Sequence, residues 1–376
     1  MRKVIIFLCL FLIIGCTKIE NENSSNNIND NQLDKIEVNK KINKSDEIEK
    51  IVNEMSLEEK IGQMLFVRLN ASVNDVIKEY HVGGFIMFGV DFKNKTKEQV
   101  ISEIKEYQNI SKIPLLMGVD EEGGTVVRIS SNPNLYKERF KSPQEVYKLK
   151  GMEGIIEDTE NKANLLKELG LNVNLAPVAD VSTDSNDFIY DRSFGDSADK
   201  TKDYIKEVVK VYNENKVGSC LKHFPGYGNN VDTHTGIAID NRDYNTFLES
   251  DFIPFKGGIE EGVPSILVSH NIVVSMDDKP ASLSLKVHEV LRNDLGFKGV
   301  IMTDDLDMGA IREYSDNPYI DAVLAGNDLL VTTDYKKTYE TILKGVKNGE
   351  IEEEIINEAV YRILKLKYDL GIIKEG

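Results

Sequence analysis

The sequence predicts an α/β protein with one large domain, a (β/α)8 barrel of the TIM type, and three observations carry that expectation. Eight short apolar runs recur along the chain, amphipathic stretches separate them, and charged residues fall just after the runs. Continuously apolar strands alternating with helices indicate a parallel sheet buried on both faces. A doubly wound open sheet is the alternative that periodicity leaves standing.

Ser56-Leu57-Glu58-Glu59 has the pattern of a capping box and opens the first helix. The eight runs, rich in Val, Ile, Leu and Phe, lie near 64–67, 84–88, 113–119, 173–178, 220–224, 266–268, 300–302 and 329–331. Stretches at 97–107, 158–169, 202–212 and 285–295 repeat their apolar residues at helical spacing. Asp120 follows the third run and Asp180 the fourth; Lys222 and His223 end the fifth; His270 follows the sixth and Asp304 the seventh. The C-terminal ends of barrel strands are where active sites form, so these groups are expected to converge on one mouth.

The barrel is expected over residues 46–376. Residues 1–16 begin with Arg2 and Lys3, run apolar from Val4 to Ile14 and close on Gly15-Cys16, which resembles a bacterial lipoprotein signal with Cys16 as the lipidated residue. The run is too short to span a bilayer. Residues 17–45 are rich in Asn, Ser, Lys and acids and read as a disordered polar tether. An extracytoplasmic protein follows, lipid-anchored to the cell membrane and touching it by that anchor alone.

Of three cysteines only Cys220 falls in the barrel region, so an intrachain disulfide there is excluded. A net charge of −17 argues against a nucleic-acid partner, which needs a basic surface. No cofactor is implied.

Residues 300–308 drive an apolar strand into the acids Asp304, Asp305 and Asp307, which makes Asp304 a candidate nucleophile at a strand end. A calcium loop of EF-hand type is the bland alternative; counted from Asp304, its glycine position is met by Gly309 but its glutamate position holds Ser315. Asp120 could accept bonds from sugar hydroxyls with Arg128 close behind, or belong to a solvated acidic loop. Arg192 reads equally as a ligand contact or a structural ion pair. His81 and His288 read as surface or packing residues and His270 as a hydrogen-bonded structural one. Asp232 sits two residues before His234, where a carboxylate could orient an imidazole for proton transfer. A metal site lacks a His-x-His or His-Glu-x-x-His pattern and would put Lys222 beside the ion. A serine triad would have to use Ser193, which lies in no Gly-x-Ser-x-Gly elbow. His234 as acid and base with a carboxylate nucleophile fits with least strain, as in retaining glycoside hydrolysis.

Together Lys222-His223-Phe224-Pro225-Gly226, Asp232-Thr233-His234, Asp120-Glu121-Glu122-Gly123-Gly124, the run from Asn174 to Val181, Arg192-Ser193-Phe194-Gly195, 280–284 and 303–308 resemble glycoside hydrolase family 3, in particular its β-N-acetylglucosaminidase branch. The resemblance covers about residues 50 to 372. It implies that Asp304 attacks the anomeric carbon, that His234 oriented by Asp232 is acid and base, and that Asp120, Arg128, Arg192, Lys222 and His223 hold a terminal N-acetylglucosamine. The implied partners are GlcNAc-containing saccharides or muropeptides. Most other members take a glutamate acid/base from elsewhere, often a second domain, and here the histidine is expected to suffice. A neutral imidazole also repels an anionic acceptor less than a carboxylate does, which makes phosphorolysis, beside β-glucosidase activity, an alternative outcome. A lipid-anchored saccharide receptor is the alternative of another class. Tyr227 departs from the pattern, standing where the branch has a second histidine, as does Thr233 in place of serine, and the loop from Lys222 to His234 is one residue shorter.

Overall fold

The computed structural model describes residues 44–69, 72–230 and 236–374. The expected signal with Cys16, nearly all of the tether, and the Asp232/His234 pair lie outside the described residues.

Asp46–Gly376 forms one compact unit. Its eight barrel strands are β1 (Leu65–Arg68), β2 (Gly84–Met87), β3 (Leu116–Val119), β4 (Val173–Asn174), β5 (Gly218–Phe224), β6 (Ser265–Val268), β7 (Val300–Thr303) and β8 (Leu330–Thr332). All pair in parallel, in the order β8-β1-β2-β3-β4-β5-β6-β7, and a parallel bridge from Met302 to Leu329 brings β7 against β8. The ring excludes the open doubly wound sheet. Every apolar run forms a strand; the longest expected ones are cut short where prolines or side-chain bonds replace the ladder. Near 173–178 only Val173–Asn174 qualifies, because Asn174 turns its side chain to the backbone of Glu121 and Pro177 has no N–H to give.

The barrel interior follows from strand alternation. Arg68 pairs with Ile86 and Ile86 with Gly118, so Phe66, Arg68, Ile86, Phe88, Gly118 and Asp120 share one face. That face is the interior: a Cβ at Gly118 would come within 2.5 Å of the Phe66 ring, which fills the barrel there. On the far wall Cys220 Sγ lies 3.7 Å from Met302 Sδ, which sets Cys220, Lys222, Met302 and Asp304 inward as well.

Around the ring, Ser56 accepts from Glu59 N while the Glu59 carboxylate accepts from Ser56 N, the expected capping box. Helices span Lys97–Ile110 and Ala198–Glu214, longer than the periodic stretches within them. The stretch at 158–169 ends a helical segment, Pro143–Leu169, that breaks at Gly151 with φ +63°. The stretch at 285–295 is a short α-helix, Leu285–Glu289, followed by a π turn, Val290–Asp294. Among the described residues no helix is long and apolar enough to cross a membrane.

Candidate active site

Alternation carries five inward side chains to the C-terminal mouth: Arg68 from β1, Phe88 after β2, Asp120 after β3, Lys222 from β5 and Asp304 after β7. The tightest knot joins β3 to β5. Lys222 Nζ donates to Asp120 Oδ1 at 2.7 Å and lies 2.6 Å from Glu122 Oε1. Arg192 grips the same Glu122 through a fork, Nε at 3.0 Å and Nη2 at 2.8 Å. Arg128 Nη2 stands 3.7 Å from Asp120 Oδ2.

Burial pushes the Glu122 carboxyl up, but the charges of Arg192 and Lys222 outweigh it and hold the group well below the usual range. Burial likewise disfavours charge on Lys222, and Asp120 and Glu122 reverse it, so the ammonium is held above its ordinary value. Arg192 is raised for the same reasons. Glu122, Lys222 and Arg192 therefore stay charged together. Arg192 is ion-paired, as one of its two sequence readings expects.

His223 is buried with both ring nitrogens engaged. Nδ1 lies 2.7 Å from Asp180 Oδ2, which also accepts from the His223 backbone N–H at 3.0 Å. Nε2 lies 3.3 Å from Arg192 Nη2. Arginine can only donate, so Nε2 accepts and Nδ1 carries the proton toward Asp180. The ring thus steadies Arg192 through the same Nη2 that reaches Glu122, and Tyr227 stands edge-on to the ring at 5.3 Å.

On the β7 side, Asp304 N donates to Val268 O at 3.1 Å, extending the ladder to the half-buried side chain of this residue. Its Oδ1 accepts from Asp305 N at 2.9 Å. The other two acids tie strand ends together. Asp305 accepts from Asp307 N and Thr333 Oγ1, and burial raises its carboxyl above the ordinary value. Asp307 accepts from Thr332 Oγ1, Thr333 N, Asp334 N and Tyr319 OH. Both carboxylates are spent within the protein. Among the described residues no group of three or more His, Cys, Asp or Glu is placed to hold a metal ion.

The remaining histidines behave as the sequence suggests. His270 is buried with Nδ1 at 2.7 Å from Ser282 Oγ and Nε2 at 3.1 Å from Asp305 O. His288 packs inside with Nδ1 at 2.8 Å from Ser284 O, and burial lowers its pKa. His81 ends the helix Val73–Tyr80.

Asp232 and His234 lie outside the described residues, but the chain on either side is firmly tied. Tyr227 N donates to Asp180 Oδ1 at 2.7 Å. Asn230 Nδ2 donates to Tyr227 O and to Asp240 Oδ2, each at 2.8 Å. Arg242 lies over Phe247, its guanidinium carbon 4.3 Å from the ring centre, and reaches Asp240, Asp251 and the carbonyl of Gly226. Burial drives the Asp251 carboxyl up to about 6, against the pull of Arg242 and with help from Asp180 and Asp240.

Several residues that build this site have no place among the sequence candidates. Glu121 is fully buried and takes the N–H groups of Arg128, Ile129 and Ser130, at 2.8, 2.7 and 3.1 Å, folding the loop that delivers Arg128. Glu121 and Glu122 stand inside a motif already singled out, so their signal is present in the sequence, and Asp180 is already expected at the mouth from its place after the fourth run. Arg242 carries none; only the fold brings it under Gly226.

Carboxylates and cations converging on the C-terminal mouth of a closed parallel barrel define the class, a (β/α)8 protein whose site is built from its strand ends. The chain belongs to glycosyl hydrolase family 3, whose N-terminal domain model matches residues 56–366. It is 28% identical over 340 residues to beta-hexosaminidase A of Pseudoalteromonas piscicida, an alignment covering 80% of this chain and 56% of that protein. With the beta-hexosaminidase of Photobacterium profundum it shares 32% identity over 278 residues, 71% of this chain and 79% of that one. A solved family 3 beta-N-acetylglucosaminidase from Paenibacillus sp. superposes with a TM-score of 0.80 at 28% identity, over 86% of this chain and 64% of the other. The chain thus spans less than two thirds of two of these three relatives.

Proposed function

We propose that the protein is a retaining exo-β-N-acetylglucosaminidase that removes terminal β-linked GlcNAc from cell-wall fragments or related saccharides. The observation that carries this reading is the ion-paired knot of Asp120, Glu122, Arg192 and Lys222, with Glu122 and Lys222 buried and Asp120 and Arg192 half-buried, on the interior layer that also bears Asp304. The family membership and the hexosaminidase names of its relatives support it.

In this reading the Asp304 carboxylate attacks the anomeric carbon, a C–O bond to Asp304 forms, and the glycosidic C–O bond breaks as His234 gives its proton to the leaving oxygen. Water then attacks the same carbon, His234 takes its proton, and Asp304 leaves as a carboxylate with retention at the anomeric centre. Asp232 orients His234. Asp120 and Lys222 meet the sugar hydroxyls, and His223 acts through Arg192. A histidine whose ordinary pKa is about 6.5 can serve as acid and then base near neutral pH. Attachment through Cys16 places the enzyme outside the cytoplasm.

Chromogenic β-N-acetylglucosaminide, β-glucoside and β-xyloside should be compared using wild type and the Asp304→Ala and His234→Gly variants. Preference for the N-acetylglucosaminide and loss of turnover in both variants are expected. Equal rates on all three sugars defeat the sugar assignment, undiminished turnover by Asp304→Ala defeats the assignment of the nucleophile, and a folded wild type that binds the saccharide without turning it over favours the receptor alternative.

A further inference from the structure

Going round the mouth from Asp304 on β7 to Asp120 on β3, the chain passes β8, β1 and β2. None of the residues assigned to the sugar comes from that arc. It is nevertheless furnished. Arg68 ends β1 and Phe88 follows β2 on the inward face, and the Arg68 guanidinium carbon lies 4.3 Å from the centre of the Phe88 ring. Arg128, which reaches over from the loop after β3, places its own guanidinium 5.7 Å from the same ring.

Arg68 is exposed; among the described residues its side chain lies over the face of Phe88 with neither a hydrogen bond nor an ion pair, and Asp91 is near enough to attract its charge. The Nε of Arg128 is buried with no hydrogen-bond partner. The acids that face the pair are few. Asp91, in the turn after Phe88, accepts from the Phe88 N–H at 2.7 Å, and Asp120 is held by Lys222 through Oδ1 while its Oδ2 stands 3.7 Å from Arg128 Nη2, leaving Arg68 without an ion-pair partner among the described residues. A guanidinium laid on an aromatic ring keeps its N–H edge free, and that edge matches the oxygens of a carboxylate or phosphate. In a chain of net charge −17, an acidic ligand needs such a local cation to enter the mouth.

We propose that Arg68, supported on Phe88 beside Arg128, receives an anionic group on the acceptor side of the sugar site. The proposal rests on the glycosidase reading above. Two sources supply that chemistry: a carboxylate on the departing aglycone, or inorganic phosphate as the second substrate. In the phosphate case a phosphate oxygen attacks the anomeric carbon of the glycosyl–Asp304 intermediate, the bond to Asp304 breaks, and a glycosyl phosphate leaves.

Wild type, Arg68→Met and Arg68→Lys should be assayed on p-nitrophenyl β-N-acetylglucosaminide, on the neutral disaccharide GlcNAc-β1,4-GlcNAc and on the acidic GlcNAc-β1,4-MurNAc, with and without phosphate. For an aglycone carboxylate, Arg68→Met loses at least tenfold more kcat/KM on the acidic disaccharide than on the neutral one, about 1.4 kcal/mol of discrimination, and Arg68→Lys recovers part of it. For phosphate, Arg68→Met instead loses the phosphate-dependent rate and the glycosyl phosphate product. Equal effects on all substrates, with and without phosphate, overturn the proposal while leaving the glycosidase reading intact. A folded wild type inactive on the p-nitrophenyl glycoside removes both.

Discussion

Glu122 and Lys222 meet at 2.6 Å inside the barrel mouth, and the same carboxylate holds Arg192, so one acid keeps two cations in place. Replacing it with glutamine leaves two buried positive charges facing each other and Asp120 alone to balance them. Removing one partner of a buried ion pair typically costs about 3–5 kcal/mol. Glu122→Gln is therefore expected to lower the urea midpoint markedly and to raise KM more than it lowers kcat. A variant with wild-type KM would show that the knot has no part in binding sugar.

Asp180 accepts three N–H groups, two from His223 and one from Tyr227. Asparagine presents one oxygen and one NH2, so in Asp180→Asn at least one of those donors faces another donor. An amide oxygen toward His223 costs the Tyr227 N–H its acceptor, and an NH2 toward His223 costs the ring its hold; either way the tie between His223 and the loop stem is broken. The expected result is a fall in kcat/KM of about 100-fold, in line with the loss of a positioning group. An unchanged kcat/KM in a folded variant would remove His223 from the binding apparatus.

Arg242 bridges Asp240, Asp251 and the Gly226 carbonyl at the stem of the loop that bears Asp232 and His234. Arg242→Met removes the stem tie and a counter-charge to Asp251, whose carboxyl already sits at about 6. Because His234 is assigned to proton transfer rather than to sugar binding, kcat should fall more than KM rises. Steady-state kinetics on p-nitrophenyl β-N-acetylglucosaminide checks this, and the opposite split would detach the stem from catalysis.

Gly226 has φ +132° and a Cβ there would fall 2.2 Å from Asp251 Oδ1. Gly226→Ala is expected to combine backbone strain with displacement of Asp251, and so to lower both thermal midpoint and activity. Wild-type behaviour would mean that the stem tolerates rearrangement.

Lys367 is fully buried, its Nζ bonded to Gln63 Oε1 at 2.7 Å, and burial without a carboxylate lowers its pKa to about 7. The unfolded chain releases this proton only near pH 10.4. Between these values the unfolded state binds more protons than the folded one, so this group makes stability rise with pH from about 7 to 10. Below that window the full penalty of a buried charge applies. Lys367→Met is expected to melt higher than wild type at pH 6, with the gain shrinking as pH approaches 10. A gain independent of pH would mean that the amine stays charged throughout.

The barrel was legible because its signal is repetition. A buried parallel strand needs an unbroken apolar run, and Leu116–Val119 or Ser265–Val268 can hardly be read otherwise. Strand-end groups such as Asp120, Lys222 and Asp304 were legible by position, since they follow such runs. What escaped was the wiring among them. His223 stands next to Lys222 in sequence yet turns toward Asp180 and Arg192, a choice made by the register of β4 against β5. Arg242 sits in a loop of ordinary composition, and only tertiary structure brings it beneath Gly226. The four-residue helical start at Gly89–Phe92 and the Arg68–Phe88 contact likewise depend on neighbouring strands, which no local pattern encodes.

The ties at Tyr227, Asn230, Asp240 and Arg242 close the loop at its base, independently of what lies between. Such a base is expected to let the segment between the ties be exchanged as a cassette. Tips of other lengths, taken from relatives, can be grafted between Asn230 and Asp240 while the barrel and the sugar knot stay as they are. On the role proposed for His234, reaction outcome and substrate range are expected to travel with such a graft of a few residues.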